Sequence, residues 1–446
     1  MTDTIVARAT SSGQGGIGIV RLSGPKSLQI AKKICEITPK NRFAHFCSFK
    51  NIDSQIIDQG ICLFFKSPNS FTGDDVVELH GHGGIIVIDQ LIEICTNLGA
   101  RLANAGEFSE RAFLNGKLDL TQAEAISDLI NSDTKEAARL AARSLTGHFS
   151  KLIYELVEKI TTLRAQIEAD IDFPTDDIDS LSDLDINDRL AEIITFIEDL
   201  KLSVSTGKII REGIKLVISG PPNVGKSCLR NVLAGTDDAI VADIPGTTRD
   251  VLREKIEIKG IPVDLIDTAG IRDTNDEIEQ LGRKKALVEI EDADLILWVF
   301  DGSIDKKNKN FSSSFISTDA PIIFVQNKAD KNNDKIELKK EGDVITVVLS
   351  AKKRQGINLL IGCVYDHLGL KKTNQGDFLA RRRHLEAINR AHSSLINAKN
   401  ILNESKLNEL VAEDLRLCQN YLSEITGDFV SDDLLGKIFS DFCIGK

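Results

Sequence analysis

Residues 220–227 read Gly220-Pro221-Pro222-Asn223-Val224-Gly225-Lys226-Ser227, directly after an apolar run at 215–219 and ahead of a stretch with helical character. Glycines at this spacing let backbone N–H groups curl around an anion, and the helix start that follows favours negative charge. In such a loop Lys226 reaches the β and γ oxygens of a nucleoside triphosphate and Ser227 ligates Mg2+. The octet therefore predicts a phosphate-binding loop between a strand and a helix, at the heart of an α/β domain.

The surrounding texture agrees. Apolar runs at 216–218, 263–266, 295–300, 322–325 and 344–349 each end in a polar or glycine-containing loop, as the strands of a mostly parallel sheet do. The predicted P-loop domain spans 213–370.

Three further motifs fall at predicted strand ends, in the order a GTPase requires. Asp267-Thr268-Ala269-Gly270 closes the second strand; Asp267 would hold Mg2+ through a water, and the Gly270 amide can approach a γ-phosphate unobstructed. Asn327-Lys328-Ala329-Asp330 closes the fourth. Asp330 offers two acceptor oxygens to the N1–H and amino group of guanine, where adenine would present an acceptor, so this motif selects GTP over ATP. Ser350-Ala351-Lys352 follows the last strand and would support the base through backbone groups. Between the first two motifs, Pro245-Gly246-Thr247-Thr248-Arg249-Asp250 occupies the position of a switch. Thr248 can complete the Mg2+ shell only while the γ-phosphate is present. The residue after Gly270 is Ile271, so the water-orienting glutamine of Ras-like enzymes is missing; Asp273, Asp276, Glu277 and Glu279 remain open as replacements.

On either side of this domain the pattern differs. Residues 1–118 are rich in glycine and β-branched residues with short apolar runs at 18–22 and 76–79, which predicts a mixed α+β domain. From about Leu120 a helical period begins, with one apolar stripe through Leu145, Phe149, Leu152, Leu156, Ile160, Leu163, Ile167 and Ile171. An acidic run at 170–185 containing Pro174 interrupts it, and a second helix through Leu190, Ile193, Ile197 and Leu200 leads to Gly207. The helical period returns after about Lys372 at Leu385, Ile388, Ala391, Leu395 and Leu402. One all-α domain made of 119–212 and 371–446, with the α/β domain inserted, is the simplest arrangement.

At 446 residues the chain is long enough for several cores. A formal net charge of −12 excludes a non-specific polyanion binder, so any contact with RNA must use a local basic patch. Eight scattered cysteines without a C-x-x-C pair read as reduced thiols, and neither a leader nor a membrane span is recognisable; a cytoplasmic location is expected.

Long ungapped blocks beyond the GTPase motifs carry a resemblance. Gly-Gly-Ile-Gly-Ile-Val-Arg at 15–21, Phe71-Thr72-Gly73-Asp74-Asp75, His80-Gly81-His82-Gly83-Gly84, the block 106–115, and Phe442-Cys443-Ile444-Gly445-Lys446 resemble the MnmE (TrmE) family along essentially the whole sequence. That resemblance implies a homodimeric GTPase acting with a FAD-dependent partner, MnmG, in a heterotetramer. The pair would use a one-carbon tetrahydrofolate (5-formyl or methylene) to modify C5 of the tRNA wobble uridine. It also implies that Asn223, Ala242, Ile244 and Thr247 coordinate K+, with Val224, Gly225, Cys228 and Asp243 among the nucleotide contacts. Glu279 would orient the attacking water once K+ has brought two G domains together. The front domain would be folate-binding and dimerising, with Arg21, Glu78, Lys117 and Lys446 on the folate. The resemblance assigns Cys443 to the modification chemistry, and a mobile terminal peptide would carry it to the folate pocket. An assembly factor of the Era or Der type, the alternative, lacks both the folate-like front and the closing Cys-Ile-Gly-Lys.

Overall fold

The computed structural model describes residues 3–172, 183–235, 239–241, 253–267, 290–302, 320–342, 344–368, 377–404, 407–428, 432–440, 442, 444 and 445. Its first elements are β1 (Ile5–Arg8), β2 (Gly15–Ser23), α1 (Ser27–Cys35), β3 (His45–Lys50), β4 (Ile56–Phe65), β5 (Val76–Gly83), α2 (Ile85–Asn97), β6 (Arg101–Leu102) and α3 (Glu107–Leu114). Helices α4 (Leu120–Ile130), α5 (Lys135–Leu145), α6 (His148–Asp172) and α7 (Asp183–Glu212) follow. Next come β7 (Ile214–Ser219), α8 (Lys226–Ala234), β8 (Ala239–Val241), β9 (Arg253–Ile258), β10 (Ile261–Asp267), β11 (Leu295–Asp301) and β12 (Ile322–Asn327). The last are α9 (Ala329–Asn332), β13 (Glu337–Glu341), β14 (Val344–Val348), α10 (Ile357–His367), α11 (Arg382–Glu404), α12 (Asn408–Thr426) and α13 (Asp432–Ser440).

Two compact units result: Met1–Ser127 with Ser144–Leu190 and Ser393–Lys446, and Asp128–Arg143 with Ala191–His392. In the first, six strands are ordered β3-β4-β5-β2-β1-β6. Alternation along the strands turns Val20, Leu22, Cys62, Phe64, Val77 and Leu79 inward, onto Ile30 and Ile34 of α1 and Ile88 and Leu91 of α2. The opposite face of β2 and β5 carries Arg21, Glu78 and His80.

The helical part of this unit rests on α6, where Phe149, Ile153, Leu156, Ile160, Leu163 and Ile167 are all buried. Burying such a side chain contributes about 1.5–3 kcal/mol, against the few tenths by which helix propensities differ, so burial sets the helix's orientation. It packs on α12, and Arg164 NH1 donates to Gln419 Oε1 at 2.7 Å across the pair. One expectation needs correcting. The stripe read as continuous from Leu145 is split: Gly147, at φ 82, separates α5 from α6, and Ile153 rather than Leu152 is the buried residue. Pro174 lies outside the described residues.

The sequence's closing residues also differ from expectation. Phe442 is buried, Ile444 bridges Ala105 in antiparallel fashion, and Gly445 lies under the carbonyl of Arg8 at φ 97, where a Cβ would collide. Phe442 and Gly445 are buried against the first sheet's unit, and Ile444, its side chain exposed, is tied to it by a backbone bridge.

The second unit is built on an eight-stranded sheet ordered β13-β14-β12-β11-β7-β10-β9-β8. The five strands predicted from apolar runs, β7, β10, β11, β12 and β14, are mutually parallel. Strands β8, β9 and β13 add antiparallel edges. Leu216, Ile218, Leu265, Leu297, Val299, Val325 and Val347 meet Leu229 and Leu233 of α8 and Leu360 and Ile361 of α10 in one core. Helix α7 runs past Gly207, whose missing side chain makes room for the backbone of Phe378.

Candidate functional site

Strand β7 lies between β11 and β10, so the chain crosses to opposite sides of it in successive connections. The carboxyl end of such a strand is a topological switch point, where open α/β sheets bind ligands. Residues 220–225 leave this end and enter α8.

Two glycines permit the loop's path. A Cβ on Gly220, at φ 141, would run into the carbonyl of Val299, and one on Gly225, at φ 98, would lie 2.5 Å from Asn327 Nδ2. Asn223 also takes a left-handed conformation at φ 64, which asparagine tolerates better than most residues. Lys226 is buried, and its Nζ donates to the carbonyls of Gly220 at 2.6 Å and Pro221 at 2.8 Å. Burial pushes its pKa down, partly opposed by the charge of Asp267. Ser227 and Cys228, in the first turn of α8, are exposed. Asp267 ends β10 nearly buried, with Arg230 NH1 at 3.6 Å from Oδ2.

Asn327 ties the loops together. Its Nδ2 donates to Val224 O at 2.9 Å, and its Oδ1 accepts the backbone N–H of Ala351 at 3.0 Å. One buried side chain thus joins the loop before α8 to the loop after β14. Lys328 adds a second tie: Nζ donates to Asn223 O at 2.6 Å and to Asp301 Oδ2 at 2.7 Å. Asp330, at the start of α9, accepts from Ser350 Oγ at 2.6 Å. That hydrogen bond, helped by the nearby Lys353 and Lys352, holds its carboxyl below the usual range, so it is an acceptor at neutral pH. The ionised Asp330 and the Ser350-Ala351-Lys352 backbone therefore stand together, as recognition of a guanine edge demands. The pairing of Lys328 with Asp301 had no signal in the motif spacing; it comes from the register of β11 on β12, which sets Asp301 opposite Asn327.

Ala242, Asp243, Ile244, Pro245, Gly246, Thr247, Thr248, Thr268, Ala269, Gly270, Glu279, Cys443 and Lys446 lie outside the described residues, as do the alternatives Asp273, Asp276 and Glu277.

In the first unit, Arg21 and Glu78 are cross-strand partners on β2 and β5, with Arg21 Nε 2.9 Å from Glu78 Oε1. His80 Nε2 lies 3.0 Å from Glu78 Oε2, and the guanidinium stands 5.6 Å from the Phe71 ring centre and 5.8 Å from that of Phe108. Burial works to raise the pKa of Glu78, but the hydrogen bond with His80 and the charge of Arg21 outweigh it, and the carboxyl stays below its ordinary range. Lys117 is exposed, its Cε beside Gly73 in the loop that also carries Phe71. Sequence reasoning named His80 and His82 only as part of a block; their alternation with Glu78 along β5 was the usable signal.

Comparison with known proteins follows this division. A family model described as the GTP-binding protein TrmE N-terminus matches residues 4–117, and one described as the MnmE helical domain matches residues 120–443. The tRNA modification GTPase MnmE of Proteus mirabilis is 49% identical over 452 residues, covering 100% of this chain and 99% of its own length. The chain belongs to the MnmE family. The MnmE of Haemophilus influenzae strain PittEE is 50% identical over 453 residues, covering 100% of both chains. Among solved structures, Aquifex aeolicus Era bound to GDP·AlF4− is 25% identical over 41% of this chain and 67% of that one, at a TM-score of 0.27, a likeness too slight to bear on the fold. Membership of the MnmE family makes the chain a GTPase. Among the described residues, no helix is long and apolar enough to cross a membrane, and seven cysteines are free thiols.

Proposed function

We propose that this chain hydrolyses GTP to drive modification of the tRNA wobble uridine at C5, together with an MnmG-like FAD protein and a one-carbon tetrahydrofolate, in the cytoplasm. The observation that carries the nucleotide half is the meeting of the phosphate loop, the Asn327-Lys328-Ala329-Asp330 segment and the Ser350-Ala351-Lys352 segment around one buried side chain. The tRNA half rests on relatives that are named tRNA modification GTPases along their full length.

In this reading the backbone amides of 223–228 cradle the phosphates and Lys226 turns from the Gly220 and Pro221 carbonyls to the β and γ oxygens. Ser227, Thr248 and Asp267 would hold Mg2+. The donors fit: a hydroxyl at an exposed helix start and a buried carboxylate flanked by two cations suit an ion that keeps water and phosphate as most of its shell. Bound Mg2+ supplies charge neutralisation at the transferring phosphoryl group. Asn223, with Ala242, Ile244 and Thr247, would hold K+, whose charge would offset negative charge on the phosphate oxygens. Glu279 orients the water after two G domains dimerise.

The front part, 1–118, binds folate. A mostly buried, ionised Glu78, held by Arg21, would supply acceptors for the N–H donors of a pterin edge, and Lys117, with Lys446, would supply cations for the folate carboxylates. When bound, the folate supplies the one-carbon unit. Helical segments 119–212 and 371–446 flank the inserted G domain, 213–370. Homodimerisation through the front part is supported by its open sheet face, where the cross-strand pair Phe46 and Ile61 is 74% and 39% exposed and Ile17 on β2 is 68% exposed.

The test is mass spectrometry of wobble nucleosides from cells lacking this gene and from the same cells carrying it back. The C5-modified uridine should vanish and return, and should not return with Lys226→Ala. An unchanged nucleoside profile in the deletion would reject the proposal. Phosphate release in KCl against NaCl tests the K+ site separately, and equal rates would remove Asn223 from that role.

A further inference from the structure

Outside the nucleotide site, β5 carries Glu78, His80 and His82 two residues apart. The first two belong to the Arg21 cluster. His82 is held by another strand. Its Nδ1 lies 2.7 Å from Asp58 Oδ1, and its backbone N–H donates to Asp58 Oδ2 at 2.7 Å. The backbone N–H of Gln59 adds a third donor to this carboxylate at 2.8 Å. The Asp58 side chain is 9% exposed, whereas that of His82 is 74% exposed.

Burial alone would raise the Asp58 pKa. The donors from His82 and Gln59 outweigh it and keep the carboxyl below its ordinary range. A carboxylate accepts only, so the ring nitrogen facing it must carry the proton, and the neutral imidazole is fixed in the Nδ1–H tautomer. Its other nitrogen, Nε2, then presents a lone pair and has no hydrogen-bond partner among the described residues.

Glycines make this arrangement possible. A Cβ on Gly81 would run into Asp58 Oδ2, one on Gly60 into the carbonyl of His80, and one on Gly83 would lie 2.6 Å from the carbonyl of Gly15. Beside the pair, β2 begins with Gly15, Gly16 and Ile17, all exposed. A latch between β4 and β5 needs only the backbone hydrogen bond of His82. An ionised carboxylate backing an imidazole whose far nitrogen is open is the arrangement of a general base.

A step that attaches an amine-derived nitrogen to a one-carbon unit needs such a base, because amines with pKa values of about 8–10 are protonated near pH 7 and have no free lone pair. We infer that His82, oriented by Asp58, is the proton acceptor for the one-carbon chemistry of the front domain. Nε2 takes one proton from a substrate ammonium, leaving a neutral amine and an imidazolium paired with Asp58. The proton then passes to bulk water, no bond to His82 forms, and no electrons are transferred. This inference rests on the folate reading of Arg21, Glu78 and Lys117.

Three variants of the full chain and one measurement on the parent protein test it. His82→Asn keeps an N–H donor near the Nδ1 position and deletes Nε2; Asp58→Asn removes the charge; Arg21→Ala breaks the folate cluster. Calorimetric binding of 5-formyltetrahydrofolate, phosphate release from GTP, and wobble nucleosides in cells are read for each. His82→Asn should bind the folate within twofold of the parent and release phosphate normally, while modified uridine falls at least tenfold, in keeping with the 10²–10⁴-fold of a general base. Long-range nitrogen-15 NMR of the ligand-free parent at pH 8.5 should show the His82 ring as the Nδ1–H tautomer, and Asp58→Asn should lose that bias. Full modification by His82→Asn, or the opposite tautomer in the parent, overturns the inference while leaving the folate reading intact. Undiminished folate binding by Arg21→Ala overturns that reading, and the inference with it.

Discussion

Replacing Asn327 with alanine removes the side chain that joins two loops of the nucleotide site. In the parent, Nδ2 and Oδ1 satisfy Val224 O and Ala351 N at 2.9 and 3.0 Å, and the residue is only 3% exposed. Alanine leaves a buried carbonyl and a buried N–H without partners, at about 1–3 kcal/mol each, or about 2–6 kcal/mol together. Water entering the small space brings the cost toward the lower end. The free protein can relax by letting the two loops separate, but a bound nucleotide needs phosphate and base contacts at once, so the cost falls on the bound state. About 2 kcal/mol corresponds to about 30-fold in affinity. Titration of the variant with a fluorescent guanosine diphosphate and Mg2+, alongside circular dichroism to verify folding, measures this. An affinity within twofold of the parent would refute the role assigned to Asn327.

Asp330→Asn should weaken GTP at least tenfold and favour xanthosine triphosphate, because the carboxylate acceptors are replaced by an acceptor and a donor; guanine selectivity that survives a competition assay would exclude the base contact. Glu78 has a lowered pKa, so the stability its ionised form confers is complete above the ordinary value of 4.5 and is lost as pH falls through the lowered value. The urea midpoint of the parent should therefore exceed that of Glu78→Gln by a constant margin from pH 7 to about pH 5 and converge with it in stronger acid; a margin that widens in acid would contradict this. Gly445→Ala puts a Cβ against the Arg8 carbonyl at a φ of 97, so carboxypeptidase should trim the variant several-fold faster, and an unchanged rate would argue against the docked residues.

Local chemistry was legible in the sequence and tertiary chemistry was not. The octet at 220–227 places glycines, lysine and serine within one strand-loop-helix unit, so spacing alone located the loop, and the runs ending at Ser219, Asp267 and Asn327 became strand ends. Asn327 itself was read as part of a guanine motif, yet its partners Val224 and Ala351 are 103 and 24 residues away in sequence, and only the packing of β12 beside β11 and β14 brings them to it. The same holds for Asp58 and His82, 24 residues apart on neighbouring strands. Periodicity overran at Gly147, since a stripe counts apolar residues at steps of three or four and is blind to a left-handed glycine between two helices. The closing peptide was expected to be mobile because chain ends lack neighbours in sequence; its neighbours, Ala105 and Arg8, come from the opposite end of the chain.

Uptake of a fluorescent guanosine triphosphate by the purified full chain with Mg2+, against the matching adenosine triphosphate, tests the nucleotide site most directly. Saturable binding of the guanosine probe at micromolar concentration, at least a hundredfold tighter than the adenosine probe and abolished by Lys226→Ala, is the expected result. No uptake, or equal uptake of both probes, would contradict it.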